Sequence, residues 1–166
     1  MSVPTAAPAR TGVVPAGAAA PLLTGPLGAL LLAGSRDTAG GPAFVVHDLA
    51  PRALGSPVHT HTREDEWSYV LDGEVGVEIA GRTAVAGPGD LALKPRGVPH
   101  AFWNAGDSPA RLLEVITPGG FEDYFAALAE VLPDLDRVAE VAQRYGLDIE
   151  PASVPRLAQE HGLVLA

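Results

Sequence analysis

The sequence predicts an all-β domain, a sandwich or barrel, with a C-terminal helical extension. Three observations carry that reading. From Leu22 to about Pro118 the chain is a series of short apolar runs broken by Gly and Pro at close spacing, the pattern of a many-stranded antiparallel fold. After Pro118 the apolar period lengthens to three or four residues, the period of an amphipathic helix. The length of 166 residues and a hydrophobic content of 47% fit one core rather than two full domains.

Taken in order, residues 1–21 are Ala, Pro, Gly and Thr with almost no charge, and such a segment buries too little to offset its ordering, so a loose arm is expected. The barrel region, 22–118, holds strand candidates at Gly28–Ala33, Ala43–Leu49, Trp67–Leu71, Val75–Ile79, Leu91–Leu93, His100–Trp103 and Arg111–Ile116. Asp72-Gly73 is a tight hairpin turn between two of them, and Ala80-Gly81-Arg82 and Gly87-Pro88-Gly89-Asp90 supply further reversals. In 119–166, Phe121, Phe125, Leu128 and Leu132 mark a first helix ended by Pro133. A second starts at Asp134 as N-cap, carries Leu135, Val138, Val141, Ala142 and Tyr145 on one face and stops at Gly146. A third runs from Ser153 to His161 before Gly162. Their apolar stripes are read as packing against the barrel or a second subunit, not as a lid.

Composition excludes several function classes. A net charge of -9, a single lysine (Lys94) and scattered arginines leave no basic patch for nucleic acid or an anionic membrane. The absence of cysteine removes thiolate nucleophiles, disulfides, thiolate-bound zinc and iron–sulfur clusters, so a metal site here must use His, Asp or Glu. No Gly-x-Ser-x-Gly elbow is present, which argues against a serine hydrolase. No N-terminal basic segment precedes an apolar run, and the run around Ala29–Ala33 is too short to span a bilayer, so a soluble cytoplasmic protein is expected.

The chemistry concentrates in His59-Thr60-His61-Thr62-Arg63-Glu64-Asp65-Glu66 and in Val98-Pro99-His100. In an extended strand alternate side chains share a face, so His59 and His61 form a two-imidazole clamp. A bend through Thr62–Asp65 would return Glu66 on the next strand, facing inward with Ser68 and Val70; His100 opens a later strand and shares its inward face with Phe102. Three imidazoles and a carboxylate suit Fe, Mn, Ni, Co, Cu or Zn without choosing among them. A six-coordinate ion on four such ligands keeps open positions for water, dioxygen or substrate. His47 and His161 have no local partner and are read as hydrogen-bonded core or surface groups, with His47 also placed to stand behind the ligands.

The stretch HTHTREDEWSYVLDG resembles the first motif of the cupin superfamily: two histidines flanking one residue, then a glutamate, six residues and a glycine, here Glu66 and Gly73. The spacing selects Glu66 over Glu64 and Asp65. GDLALKPRGVPHAFWN is similar to the second cupin motif, with Gly89, Pro95, Gly97, His100 and Asn104 filling its positions. One departure is Ala53 where a glycine is expected before His59, with Gly55 nearby. The resemblance implies a jelly-roll barrel (double-stranded β-helix) with one divalent transition metal on His59, His61, Glu66 and His100 near its mouth, and a homodimer. It also makes Gly73, Gly89 and Gly97 reversal glycines and Asn104 a turn-fixing side chain.

The segments REDEWSYVLDGEV and TPGGFEDYFAALAE are similar to small single-domain cupins grouped with quercetinase-like dioxygenases. That similarity implies dioxygen chemistry on a small aromatic or enolic substrate, with Glu66 as ligand and as acceptor of the substrate's hydroxyl proton. By parity, Phe102, Ser68 and Val70 are the candidate substrate-lining residues, while Trp67, Tyr69 and Trp103 point the other way. A fold hosts many chemistries, so a non-redox metal-dependent cyclase or isomerase, and a non-catalytic small-molecule-binding cupin, stand as alternatives.

Overall fold

The structure, a computed structural model, describes residues 9–132 and 134–164. Among the described residues, eleven strands form two antiparallel sheets. The first contains β1 (Ala20–Leu23), β2 (Leu27–Ala33), β3 (Ala43–Leu49), β5 (Asp65–Asp72), β8 (Leu91–Lys94) and β10 (Ala110–Thr117), in the order β1-β2-β3-β10-β5-β8. The second contains β4 (Leu54–His61), β6 (Val75–Ile79), β7 (Arg82–Ala86), β9 (His100–Asn104) and β11 (Leu147–Glu150), in the order β11-β4-β9-β6-β7. Their inner faces meet over Leu49, Val70, Val75, Val77, Phe102 and Leu112, all buried. No described helix is long and apolar enough to cross a membrane.

All seven predicted strands are present, most longer by a residue or two at an end. β7 (Arg82–Ala86) has no predicted counterpart because its side chains are almost all exposed, which leaves no apolar alternation to read. Two expectations need correction. The arm is not loose to residue 21, because Ala20 and Pro21 already pair with Leu31 and Leu30 of β2; residues 1–8 of that arm lie outside the described residues. Nor is the C-terminal region purely helical. After the stop at Gly146, which takes a left-handed φ of 72°, the chain re-enters the second sheet as β11.

Three helices follow the predicted positions: α1 (Glu122–Ala129), α2 (Leu135–Arg144) and α3 (Ser153–His161). Asp134 caps α2 by accepting a hydrogen bond from the Arg137 amide at 3.3 Å. Pro133, the expected terminator of the first helix, lies outside the described residues. Phe121, Phe125, Val141 and Ala142 pack with Val45 and Ile116 into a second apolar cluster at the end of the barrel. Leu132 leaves that stripe and is half exposed, one turn beyond the end of α1. α3 covers the outer face of the second sheet, where Leu157 meets Val58, Ala101 and Trp103. β9 is therefore buried on both faces, which is why it reads as a continuous apolar run.

Turn chemistry fixes these strands. Gly73, Gly89 and Gly97 all have positive φ, and at Gly73 a Cβ would also lie 2.7 Å from the Ala110 backbone, so no other residue fits that hairpin. The Asn104 amide donates to the carbonyls of Leu49, Ala50 and Ser108 and accepts from the Gly106 amide, tying three chain segments together.

Candidate metal centre

β4 delivers His59 and His61 to the barrel interior, β9 delivers His100 directly opposite His59, and β5 in the facing sheet delivers Glu66. All four are buried. Glu66 Oε2 stands 2.9 Å from His61 Nε2, 3.0 Å from His100 Nε2 and 3.9 Å from His59 Nε2. One donor atom from each residue lies within 4.8 Å of all the others. That is close to the span of about 4.2 Å expected across an ion with bonds near 2.1 Å.

The imidazoles are pre-oriented for ligation. Nδ1 of His59 faces the Pro57 carbonyl at 2.9 Å and Nδ1 of His100 faces the Val98 carbonyl at 2.8 Å. A carbonyl accepts only, so each Nδ1 carries a proton and each Nε2 is left to serve the centre, where an ion would take its lone pair; without one, His100 Nε2 hydrogen-bonds the accepting Glu66 Oε2. His61 Nδ1 is buried without a hydrogen bond, with Glu64 Oε2 at 3.5 Å. This orientation, and the lone-pair geometry it produces, fits a divalent transition metal on these residues.

Electrostatics separate the ligands. Burial takes His59 down to about 4, only partly countered by Glu66. Burial also acts most strongly on His61, but the carboxylates of Glu64 and Glu66 together outweigh it and raise that group to about 9. Burial opposes ionisation of Glu66 as well, yet Lys94 and the three imidazoles hold its carboxyl well below the usual range. A carboxylate held ionised in this way offers its oxygens to a cation.

Behind the ligands lies a buried polar network that spacing did not reveal. Lys94 Nζ donates to Glu66 Oε1 at 2.9 Å and to Glu114 Oε1 at 2.6 Å, and Ser68 Oγ donates to Glu114 Oε1 at 2.5 Å. His47 Nε2 faces Glu114 Oε2 at 3.5 Å. Burial, then the neighbouring Glu66 charge, raises Glu114 to about 7, while burial lowers His47 to about 4 and keeps it neutral.

A cavity of about 90 Å³ opens beside His59, His61 and Glu66. Its wall is Leu27, Gly55, Pro57, Phe102, Phe121, Tyr124, Phe125, Leu128, Leu147 and Ile149, with His47 and Ser56 as further polar groups and no arginine or lysine. Two larger surface depressions, one along α2 and one near Asp48 and Arg111, carry none of the ligands. Of the three residues chosen by parity, Phe102 lines the chamber. Ser68 and Val70 point inward but do not reach it, because Ser68 is spent on Glu114 and Val70 lies in the barrel core. α1 is likewise more than packing: its residues Tyr124, Phe125 and Leu128, with Phe121 just before it, are chamber wall. The Phe121 ring meets the His61 ring edge-on at 4.4 Å. Gly55 occupies the place where a Cβ would run into the Phe102 ring, so the displaced motif glycine shapes the chamber. His161 stacks on Trp103 at 4.3 Å, away from the centre.

Residues 45–116 match the family model described as the cupin domain, and both ligand motifs fall inside that span. This stretch of the chain is a cupin domain. Solved structures of similar fold include KdgF from Halomonas sp., at 20% identity and TM-score 0.51, covering 56% of this chain and 79% of that one. A mutant of the Bacillus subtilis oxalate decarboxylase matches at 22% identity and TM-score 0.52, over 60% of this chain and 28% of that one. A cupin-superfamily sugar phosphate isomerase from Silicibacter pomeroyi matches at 30% identity and TM-score 0.50, over 55% of this chain and 59% of that one. The cupin domain thus aligns with less than two thirds of the latter two proteins. No curated protein matches the sequence.

Proposed function

We propose that this cupin is a metal-dependent, dioxygenase-type oxidoreductase acting on a small aromatic or enolic substrate, in the manner of quercetinase-like proteins. The observation that carries the reading is the chamber: a wall mostly of aromatic and aliphatic side chains abutting His59, His61 and Glu66 of the four-residue cluster. A phosphorylated or multiply carboxylated substrate would need cationic side chains beyond the metal centre, and no arginine or lysine lines the wall. A flat, weakly polar ring with one ionisable oxygen meets every lining group on favourable terms.

His59, His61, Glu66 and His100 would hold one divalent transition metal, whose chemistry at this site is Lewis-acid polarisation of a substrate oxygen and activation toward dioxygen. The chain's own residues do the rest. Phe121, Phe125 and Phe102 sandwich and orient the ring and exclude water. Glu66, ionised at the chamber edge, is both ligand and acceptor of the substrate's hydroxyl proton, and His47, neutral with Glu114 behind it, is a polar part of the wall beside it.

The test is oxygen uptake by protein of known metal content, offered single-ring phenols and diketones first and flavonols second, because the chamber is smaller than the 150 Å³ that an engineered cavity offers one benzene. Uptake that vanishes in His61→Ala, together with the metal, is the expected result. Conversion without oxygen would move the protein to the cyclase or isomerase class. Saturable binding without turnover would make it a small-molecule-binding cupin.

A further inference from the structure

The least expected side chain in the interior is Lys94, fully buried one strand away from the ligand cluster. The β5–β8 register sets it opposite Glu66, and β10 brings Glu114 in from the other side of β5, opposite Ser68. Its ammonium sits between Glu66 Oε1 and Glu114 Oε1, with the Phe102 ring centre 5.1 Å away. Removing an ammonium from water costs several kcal/mol, so a lysine stays in such a place only where its protons are fully used. Glu66 is thereby divided: Oε1 belongs to Lys94, while Oε2 alone faces the three Nε2 atoms.

We propose that Lys94 is a positioning residue that makes Glu66 a one-oxygen ligand, so that the coordination position a two-oxygen carboxylate would fill stays open to the chamber. The inference rests on reading the His59, His61, Glu66 and His100 cluster as a metal centre.

The measurement compares Mn²⁺-loaded protein with its Lys94→Met variant, which keeps the length of the side chain and removes its charge and donors. Infrared difference spectra, loaded minus metal-free, report whether the bound carboxylate uses one oxygen (wide separation of its two stretches) or two (narrow). Water-proton relaxation reports the exchangeable water on Mn²⁺. The expected result is a wide separation in the native protein, narrowing in Lys94→Met with loss of a bound water. A narrow separation in the native protein, or a folded Lys94→Met with unchanged separation and hydration, overturns the role of Lys94. If Lys94→Met does not fold, the native separation decides alone, wide supporting and narrow overturning. Failure of the native protein to bind Mn²⁺ or Co²⁺ at all is a different result: it removes the metal centre itself, and this inference with it.

Discussion

Metal uptake at this centre should expel a proton from His61, and Glu64 should set how hard that is. In the metal-free protein His61 is held at about 9 by the carboxylates of Glu64 and Glu66. At pH 7 it is therefore protonated in all but about 1% of molecules, and freeing its lone pair costs about 2.7 kcal/mol, two units at 1.36 kcal/mol each. His59, held near 4, is already neutral and contributes nothing to this. The sign follows: apparent affinity for a divalent ion rises about tenfold per pH unit between 7 and 9 and levels off above. Glu64→Gln removes the carboxylate 3.5 Å from Nδ1, lets burial pull His61 down, and should tighten binding at pH 7 by about tenfold or more while flattening that slope. Titration calorimetry in two buffers of different ionisation enthalpy counts the released protons. Binding without proton release at pH 7, or a Glu64→Gln variant with weaker affinity and the native slope, would refute the reasoning.

Two further outcomes are expected. Gly76 pairs with Trp103, and a Cβ there would enter the buried indole ring, so Gly76→Ala should destabilise the domain by about 1–3 kcal/mol in urea unfolding; an unchanged midpoint would contradict the packing. On the outer face of the first sheet, Trp67 pairs with Leu93 and Val115, and Tyr69 with Leu91 and Leu113, forming an apolar surface suited to a second copy of the chain. Light scattering should find a dimer that Leu93→Glu converts to monomer, and a native monomer at micromolar concentration would rule this face out.

How much of this was legible in the sequence depended on whether the signal was local. The clustering of His59, His61, Glu66 and His100 was, because the turns that set their spacing, at Gly73, Gly89 and Gly97, are present as read. Parity placed Ser68 and Val70 on the inner face correctly but carries no depth along the barrel, so it could not tell chamber wall from core. Lys94 was missed for a different reason: a lysine is assumed to reach water, and that assumption overrode the alternation of Leu91, Ala92, Leu93 and Lys94, which places it beside inward Ala92. Glu114 sits in the run Leu112–Ile116, apolar on both faces, where no parity can be read. β11 is four residues long, and only its partner β4 makes it a strand.

That last strand changes how the protein must come into being. β11 lies along β4 with Leu147 opposite His61 and Ile149 opposite His59, so the segment that secures the two clamp histidines is made after every other strand. During synthesis β4 has an open edge until residues 147–150 emerge. A nascent chain therefore carries His59 and His61 on a frame still missing one side, and that side closes only once β11 has been made.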